Sequence, residues 1–275
     1  MNIDYSSITN LLKTRYHVDL TSYTESFLNK SINSRLREKQ CNSSKEYCDL
    51  LITNSDEVIY LLNSLNVSYS EFFRNPLTFS VLERIIIPSL ISKKQKKNRK
   101  EIRIWSAACA AGQETYSLAM LLEETRSGEG QEINYRIFAT DLSESQIDLA
   151  IEGCYNVVAL NCLIPKRINL WFSRQGENYF VDQVLKRKLE FTVFDLLNEK
   201  LSCPVTSIFG DFDIVLCSNL LFYYKPEFQK KILEKLSGSL TTEGYLITGE
   251  TEREILFQNN YHEVYPQSAI FQKVK

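Results

Sequence analysis

Four polar side chains stand at the ends of short apolar runs. Glu114 follows Trp105-Ser106-Ala107-Ala108-Cys109-Ala110-Ala111-Gly112-Gln113, Asp141 follows Phe138-Ala139-Thr140, Asp195 follows Phe194, and Asn219 lies within Leu216-Cys217-Ser218-Asn219-Leu220-Leu221. If the runs are strands of an open α/β sheet, these positions fall at the carboxyl ends, the edge where ligands bind. Small residues over 106–112 let backbone approach a ligand, and Gly112 can take dihedrals closed to other residues. The loop is not G-x-G-x-x-G, and a pyrophosphate needs bare amides at a helix N-terminus. A carboxylate at Glu114 repels phosphate and suits an ammonium or sulfonium, which favours S-adenosylmethionine over NAD. A plainer role is equally open to Glu114 alone: a tight turn whose acid favours the helix dipole.

Asp141 fits the acid that accepts two ribose hydroxyls at the second strand end. It could instead cap the next helix, but Ser143 can do that and leave Asp141 for the ligand. Asn219 is a polar residue in an apolar segment, where an unpaired amide costs about 1–3 kcal/mol. It needs a partner, either ligand or backbone. Asp195 caps a turn or meets an adenine amine.

Such groups need a scaffold. Residues 1–65 contain no glycine and show apolar residues at helical spacing over Ile8–Tyr16, Tyr23–Lys39, Lys45–Thr53 and Ser55–Leu65, with Ser22 and Ser44 as expected N-caps. Glu71–Ser92 reads as a helix interrupted near Pro76 and closed around Pro88. Lys93-Lys94-Gln95-Lys96-Lys97-Asn98-Arg99-Lys100 is a solvated connector or an acid-binding patch. Strands then alternate with helices: Ile102–Ser106, Tyr135–Thr140, Glu190–Phe194, Phe212–Cys217 and Tyr245–Thr248 against Glu114–Glu124, Ser143–Glu152 and Pro226–Leu240. That pattern predicts a doubly wound, mostly parallel α/β sheet. A hairpin turning at Arg174-Gln175-Gly176-Glu177, between Leu170–Phe172 and Tyr179–Val184, interrupts the rhythm.

The 275 residues are 44% hydrophobic with net charge −2, enough for a large core and without the basic footprint of a nucleic-acid binder. No apolar run reaches the eighteen residues of a membrane span. The opening Met-Asn-Ile-Asp-Tyr lacks a secretory layout, so the expectation is a soluble, cytoplasmic protein without membrane insertion. Seven cysteines without C-x-x-C spacing argue against disulfides and zinc. Cys217 reads as a small buried hydrophobe. The two histidines, His17 and His262, read as surface or packing residues, and no metal site is expected.

Ser70-Glu71-Phe72-Phe73-Arg74-Asn75-Pro76, Ile104 to Cys109 through Gly112-Gln113-Glu114-Thr115-Tyr116-Ser117, Ala139-Thr140-Asp141, Cys217-Ser218-Asn219 and Gly249-Glu250-Thr251-Glu252 resemble, in order, the signatures of the CheR-type chemoreceptor glutamate O-methyltransferases. The resemblance covers nearly the whole chain. It implies an N-terminal helical domain over 1–75 and a Rossmann-like methyltransferase domain over 76–275, with a small antiparallel β insertion within about 165–190. It further implies that Ser68 and Ser70 contact the cofactor, that Arg74 reaches the cofactor's carboxylate or the reacting one, that Glu114 holds the methionine ammonium, and that Asp141 binds the ribose. Asp195 with Leu196, and Asn219 with Leu220, would line the adenine and methionyl ends. Ala108 and Gly112 belong to the loop against the cofactor, and Tyr223 would lie close to the methyl group. The family usually carries arginine at the place of Ser218, glycine at Ala108, and Gly-His-Ser-Glu at Gly249-Glu250-Thr251-Glu252. Loss of that arginine removes a possible carboxylate clamp.

The implied reaction is displacement at the sulfonium methyl by a glutamate carboxylate, leaving S-adenosylhomocysteine. Its reference pKa of about 4.3 makes a general base unnecessary at neutral pH, in keeping with the scarcity of histidine. Positioning can supply roughly 7–11 kcal/mol, with Arg74 and Tyr223 as candidates, unless Arg74 pairs with a structural acid. Lys30, Arg35, Arg37 and Lys39 offer a basic helix face, for an acidic receptor helix or simply for water. Other outcomes are a methyltransferase with a non-chemoreceptor acceptor, or a non-catalytic module that senses the cofactor or its product. A nicotinamide-dependent oxidoreductase is disfavoured by Glu114 and the missing glycines.

Overall fold

Apolar residues repeating every three to four positions give the first part of the chain four helices: α1 (Tyr5–Tyr16), α2 (Glu25–Glu38), α3 (Ser44–Thr53) and α4 (Ser55–Leu65). The structure, a computed structural model, describes residues 3–65, 69–96, 101–129, 134–207 and 210–273. Ser68 and the end of the basic run at 97–100 lie outside them. The chain divides into two compact units, Met1–Val67 with Phe222–Gln229, and Ser68–Leu221 with Lys230–Lys275.

In the first unit Ile8, Leu12, Ile32, Leu36, Tyr47, Leu51 and Leu61 form the core. The caps fall one or two residues from their expected places. Thr24 precedes α2, and Ser43 caps α3 by accepting from the Glu46 amide at 3.2 Å. Ser43 has the extended backbone that a cap requires. Ser44 is already helical, and its hydroxyl accepts from the Asp4 amide at 2.7 Å.

Arg35 is not a surface charge. Its guanidinium donates to both oxygens of the fully covered Glu57 at 2.9 and 2.6 Å, the Tyr47 hydroxyl donates at 2.8 Å, and Lys39 Nζ stands 3.3 Å away. Burial drives the Glu57 carboxyl upward, but Arg35, Tyr47 and Lys39 together hold it below its ordinary range. A carboxylate this deep persists only when paired, and the pairing takes Arg35 out of the expected docking face. Lys30 and Arg37 remain exposed.

The second unit begins with α5 (Pro76–Val81), a π-helical turn over Leu82–Ile86, and α6 (Ile87–Lys96). Pro76 occupies the first helical position, where its missing N–H is harmless. The helix does not close at Pro88: the wide turn ahead of it absorbs the donor that proline lacks, and the chain stays helical to Lys96. Then follow β1 (Glu101–Ala107), α7 (Gln113–Glu129), β2 (Asn134–Asp141), α8 (Glu144–Glu152), β3 (Cys154–Asn156), α9 (Pro165–Trp171), β4 (Phe172–Gln175), β5 (Asn178–Val181), α10 (Gln183–Lys186) and β6 (Leu189–Val193). The remainder is β7 (Phe212–Leu216), α11 (Pro226–Gly238), β8 (Leu240–Ile247), α12 (Arg253–Gln258), β9 (Tyr261–Glu263) and β10 (Ile270–Lys273).

Seven strands make one sheet in the order β6-β2-β1-β7-β8-β10-β9, the first five mutually parallel and β10 antiparallel to both neighbours. A three-stranded antiparallel sheet, β3-β5-β4, stands apart from it. The expected hairpin is there but shifted: Leu170 and Trp171 are helical, Arg174 and Gln175 are paired, and the turn is Gly176-Glu177, with Gly176 at φ +64°. β3 joins from upstream of the 165–190 window. Cys217 is buried, while His17 and His262 are exposed.

Replacing Glu57 with Gln leaves the Arg35 cation with a neutral partner, and unfolding free energy at pH 7 should fall by about 3 kcal/mol in urea denaturation. Because the Glu57 carboxyl is held below its unfolded value, its contribution is present above that value and lost as pH falls through the folded one. The difference between wild type and variant should therefore close in acid.

Candidate functional site

Strand register brings the sequence-predicted residues to one edge. Ala107 pairs with Thr140, Asp141 with Val193, Ser106 with Leu216, and Leu216 with Ile247. Asp141 therefore ends its strand, and Ala108, Asp195, Ser218 and Gly249 lie just past the carboxyl ends of neighbouring strands. Connections run from β1 to β2 and β6 on one side, and from β7 to β8 on the other. The crevice of a doubly wound sheet opens between β1 and β7, where the order reverses.

The loop from β1 to α7 is tightly folded. Ala108, Ala110 and Gly112 have φ of +56°, +48° and +88°. Left-handed backbone costs roughly 1–2 kcal/mol at each alanine and little at glycine. A Cβ on Gly112 would also come within 3.0 Å of the Ala150 Cβ, so this glycine serves close packing on α8 as well as the turn. The loop is held from outside: Asp141 Oδ2 accepts from the Ala110 amide at 2.9 Å, and the Tyr155 hydroxyl of β3 donates to the Ala111 carbonyl at 2.6 Å.

Asp141 is thus not left wholly to a ligand. Ser143 sits at the cap position of α8 without a side-chain capping bond, and its amide donates to Asp141 Oδ1 at 2.9 Å. Each carboxylate oxygen keeps a lone pair after these bonds. Burial raises the Asp141 carboxyl, opposed by the amides of Ser143, Ala110 and Leu142.

Glu114 lies in the first turn of α7, where the helix dipole favours a negative charge. Loss of solvent wins. The carboxyl is pushed up to about 7, chiefly by burial, with the Glu252 charge adding to the rise. Hydrogen bonds from Ser218 and Ser106 and the Arg74 charge oppose it. Ser218 is thus one of the groups that stabilise the charged form of Glu114. Arg74 donates to the Tyr69 carbonyl at 3.3 Å and lies 5.2 Å from the centre of the Tyr69 ring. It joins none of the ion pairs among the described residues, so no structural acid claims it. Ser70, half-buried, lies on the same segment, which is anchored where the Phe73 amide donates to Ser117 Oγ at 3.0 Å.

Asn219, at φ +60°, leaves its Oδ1 buried without a hydrogen-bond partner, and Gln113 Oε1 is in the same state. Leu220 is half-buried and Leu196 buried. Asp195 is exposed, and its Oδ1 accepts from the Leu197 amide at 2.8 Å, the turn-capping role. Tyr223 belongs to the other unit: its carbonyl accepts from the Thr24 amide at 2.8 Å, and its ring centre lies 4.6 Å from that of Phe27.

Sequence reasoning missed Glu252, which is wholly buried and accepts from the amides of Asn219 and Gly249 at 2.8 Å and of Leu221 at 2.6 Å. Its neighbours, Glu250, Thr251, Arg253 and Glu254, are all polar, so the local sequence carried no sign of burial beyond the place of Glu252 in the last motif.

Residues 3–65 match the CheR methyltransferase all-alpha domain, and residues 68–270 match the CheR methyltransferase SAM binding domain. The chain belongs to the CheR methyltransferase family. A chemotaxis protein methyltransferase of Borreliella burgdorferi is 28% identical over 92% of this chain and 89% of its own length. Chemotaxis protein methyltransferase 1 of Pseudomonas aeruginosa is 28% identical over 100% and 98%, and that of Vibrio cholerae serotype O1 is 31% identical over 81% and 78%. This CheR protein is an S-adenosylmethionine-dependent methyltransferase. Its crevice fits that cofactor: an acid short of a cation, and two buried acceptors short of donors, suit a ligand that carries an ammonium.

Only ionised Glu114 pairs with an ammonium. Below its free-protein value near 7, binding must expel a proton. Affinity for S-adenosylhomocysteine, measured by calorimetry, should therefore fall by up to about tenfold per pH unit as pH drops below that value, with proton release. Glu114→Gln should weaken binding at pH 8 by roughly 10–100-fold and flatten the pH dependence.

Proposed function

We propose that this CheR protein methylates glutamate carboxylates of a protein acceptor, forming methyl esters on the cytoplasmic helices of chemoreceptors. The names of its relatives support the chemotactic setting. The single observation carrying the chemistry is Arg74, a guanidinium braced by Tyr69 within the field of Glu114 and held by no acid among the described residues.

Glu114 and Asn219 hold the methionyl ammonium, and Asp141 holds the ribose hydroxyls while keeping the β1–α7 loop in place. Asp195 with Leu196, and Leu220, border the adenosine, and Ser70, Ala108 and Gly112 complete the wall. When bound, the cofactor supplies an electrophilic methyl on a sulfonium. Arg74 orients the acceptor carboxylate. The acceptor is already ionised at neutral pH, with a reference value of about 4.3, so the protein need not supply a base. Its contribution is alignment and the exclusion of water. Among the described residues no helix is long and apolar enough to cross a membrane.

Incubation with methyl-labelled S-adenosylmethionine and a receptor cytoplasmic fragment should give base-labile label on glutamate. Arg74→Ala should lower turnover by about 100-fold while changing S-adenosylhomocysteine affinity far less. Base-stable label, or label only on other residues, would contradict the assignment.

A further inference from the structure

We infer that Glu252 is a positioning residue of the cofactor site, setting the Asn219 carboxamide as an acceptor for the cofactor's methionyl ammonium. Glu252 touches no reacting atom. Its side chain is wholly buried, and its two oxygens gather the amides of Gly249, Asn219 and Leu221, with that of Leu220 also directed at it. One carboxylate thus joins the end of β7 to the end of β8 and fixes the backbone on both sides of Asn219. That residue is held at φ +60°, a left-handed conformation that asparagine tolerates better than most side chains.

The other constraint comes from Gly249. A Cβ there would lie 2.6 Å from Asn219 Nδ2 and 2.9 Å from Asn219 Cγ. The carboxamide therefore rests directly on bare backbone, and its Oδ1 ends buried with no donor. An acceptor held this way matches a donor arriving with the ligand. The neighbouring residue identifies that donor: Ser218, one position before Asn219, bonds the carboxyl of Glu114. The group that answers Glu114 is a cation rich in N–H, and an ammonium has three. Glu252 acts at a second level too, since its charge opposes ionisation of Glu114. A cation paired with Glu114 offsets that opposition.

The inference rests on the placement of Glu114 and Asn219 proposed above, and two ligands keep the two claims separable. S-adenosylhomocysteine carries the amino-acid group; 5′-methylthioadenosine shares the adenosine and thioether but lacks it. By calorimetry, Asn219→Ala should weaken S-adenosylhomocysteine by about tenfold and leave 5′-methylthioadenosine within twofold. If it weakens both alike, the placement of Asn219 is wrong. Glu252→Gln puts an N–H donor against backbone amides and should give the same selective loss. Combined with Asn219→Ala, it should bring no further loss. Equal loss of both ligands, or losses that add, would make Glu252 a general brace and overturn the inference. Should Glu252→Gln fail to fold, Gly249→Ala keeps the carboxylate and presses hardest on the carboxamide. It should again weaken S-adenosylhomocysteine selectively, and an unselective or absent effect would overturn the inference equally.

Discussion

Placing carboxyl groups where a parallel sheet normally receives anions is the constraint around which this crevice is built. Glu114, Asp141 and Glu252 lie along the same strand ends, and burial raises all three above their ordinary values. Such acids bind protons more tightly in the folded protein than in the unfolded chain. Ionisation therefore weakens the fold as pH rises, for Glu114 over the interval from about 4.5 to about 7. A cationic ligand reverses that penalty. On the proposed placement of Glu114, selectivity for an aminoacyl sulfonium over a dinucleotide follows from the same charge.

The fold answers the constraint with backbone amides rather than basic side chains. Asp141 takes the amides of Ala110 and Ser143, and Glu252 takes those of Gly249, Asn219 and Leu221. Both acids thereby become organisers of the loops that face the cofactor. Glu114 receives hydroxyls from Ser218 and Ser106 and the Arg74 charge, and burial outweighs them. In the N-terminal unit Glu57 faces the opposite situation, with Arg35 and Lys39 close enough to keep it charged.

The sheet was legible because each parallel strand is a short apolar run ending in a polar or small residue. Glu114, Asp141 and Asn219 could be placed on one edge from that rhythm alone. What escaped depends on partners distant in sequence. The Asn219 amide finds its acceptor 33 residues on, at Glu252, and Arg35 finds Glu57 22 residues on. β3 and β9, three residues each, are too short for alternation to mark them. Pro88 reads locally as a stop, but the π turn before it needs a buried helix face, with Leu82 and Ile86 in the core, to be worth forming. Asp141 was read as ligand-binding or structural, whereas its two oxygens leave room for both.

Carbon-13 observation of the Glu114 carboxyl through a pH titration, with and without saturating S-adenosylhomocysteine, is the most direct check on this charge arrangement. In the free protein the midpoint should lie near 7, and the bound ligand should lower it by about two units. A midpoint in the ordinary carboxylate range in both states would mean that Glu114 meets neither the burial nor the cation on which the site is built.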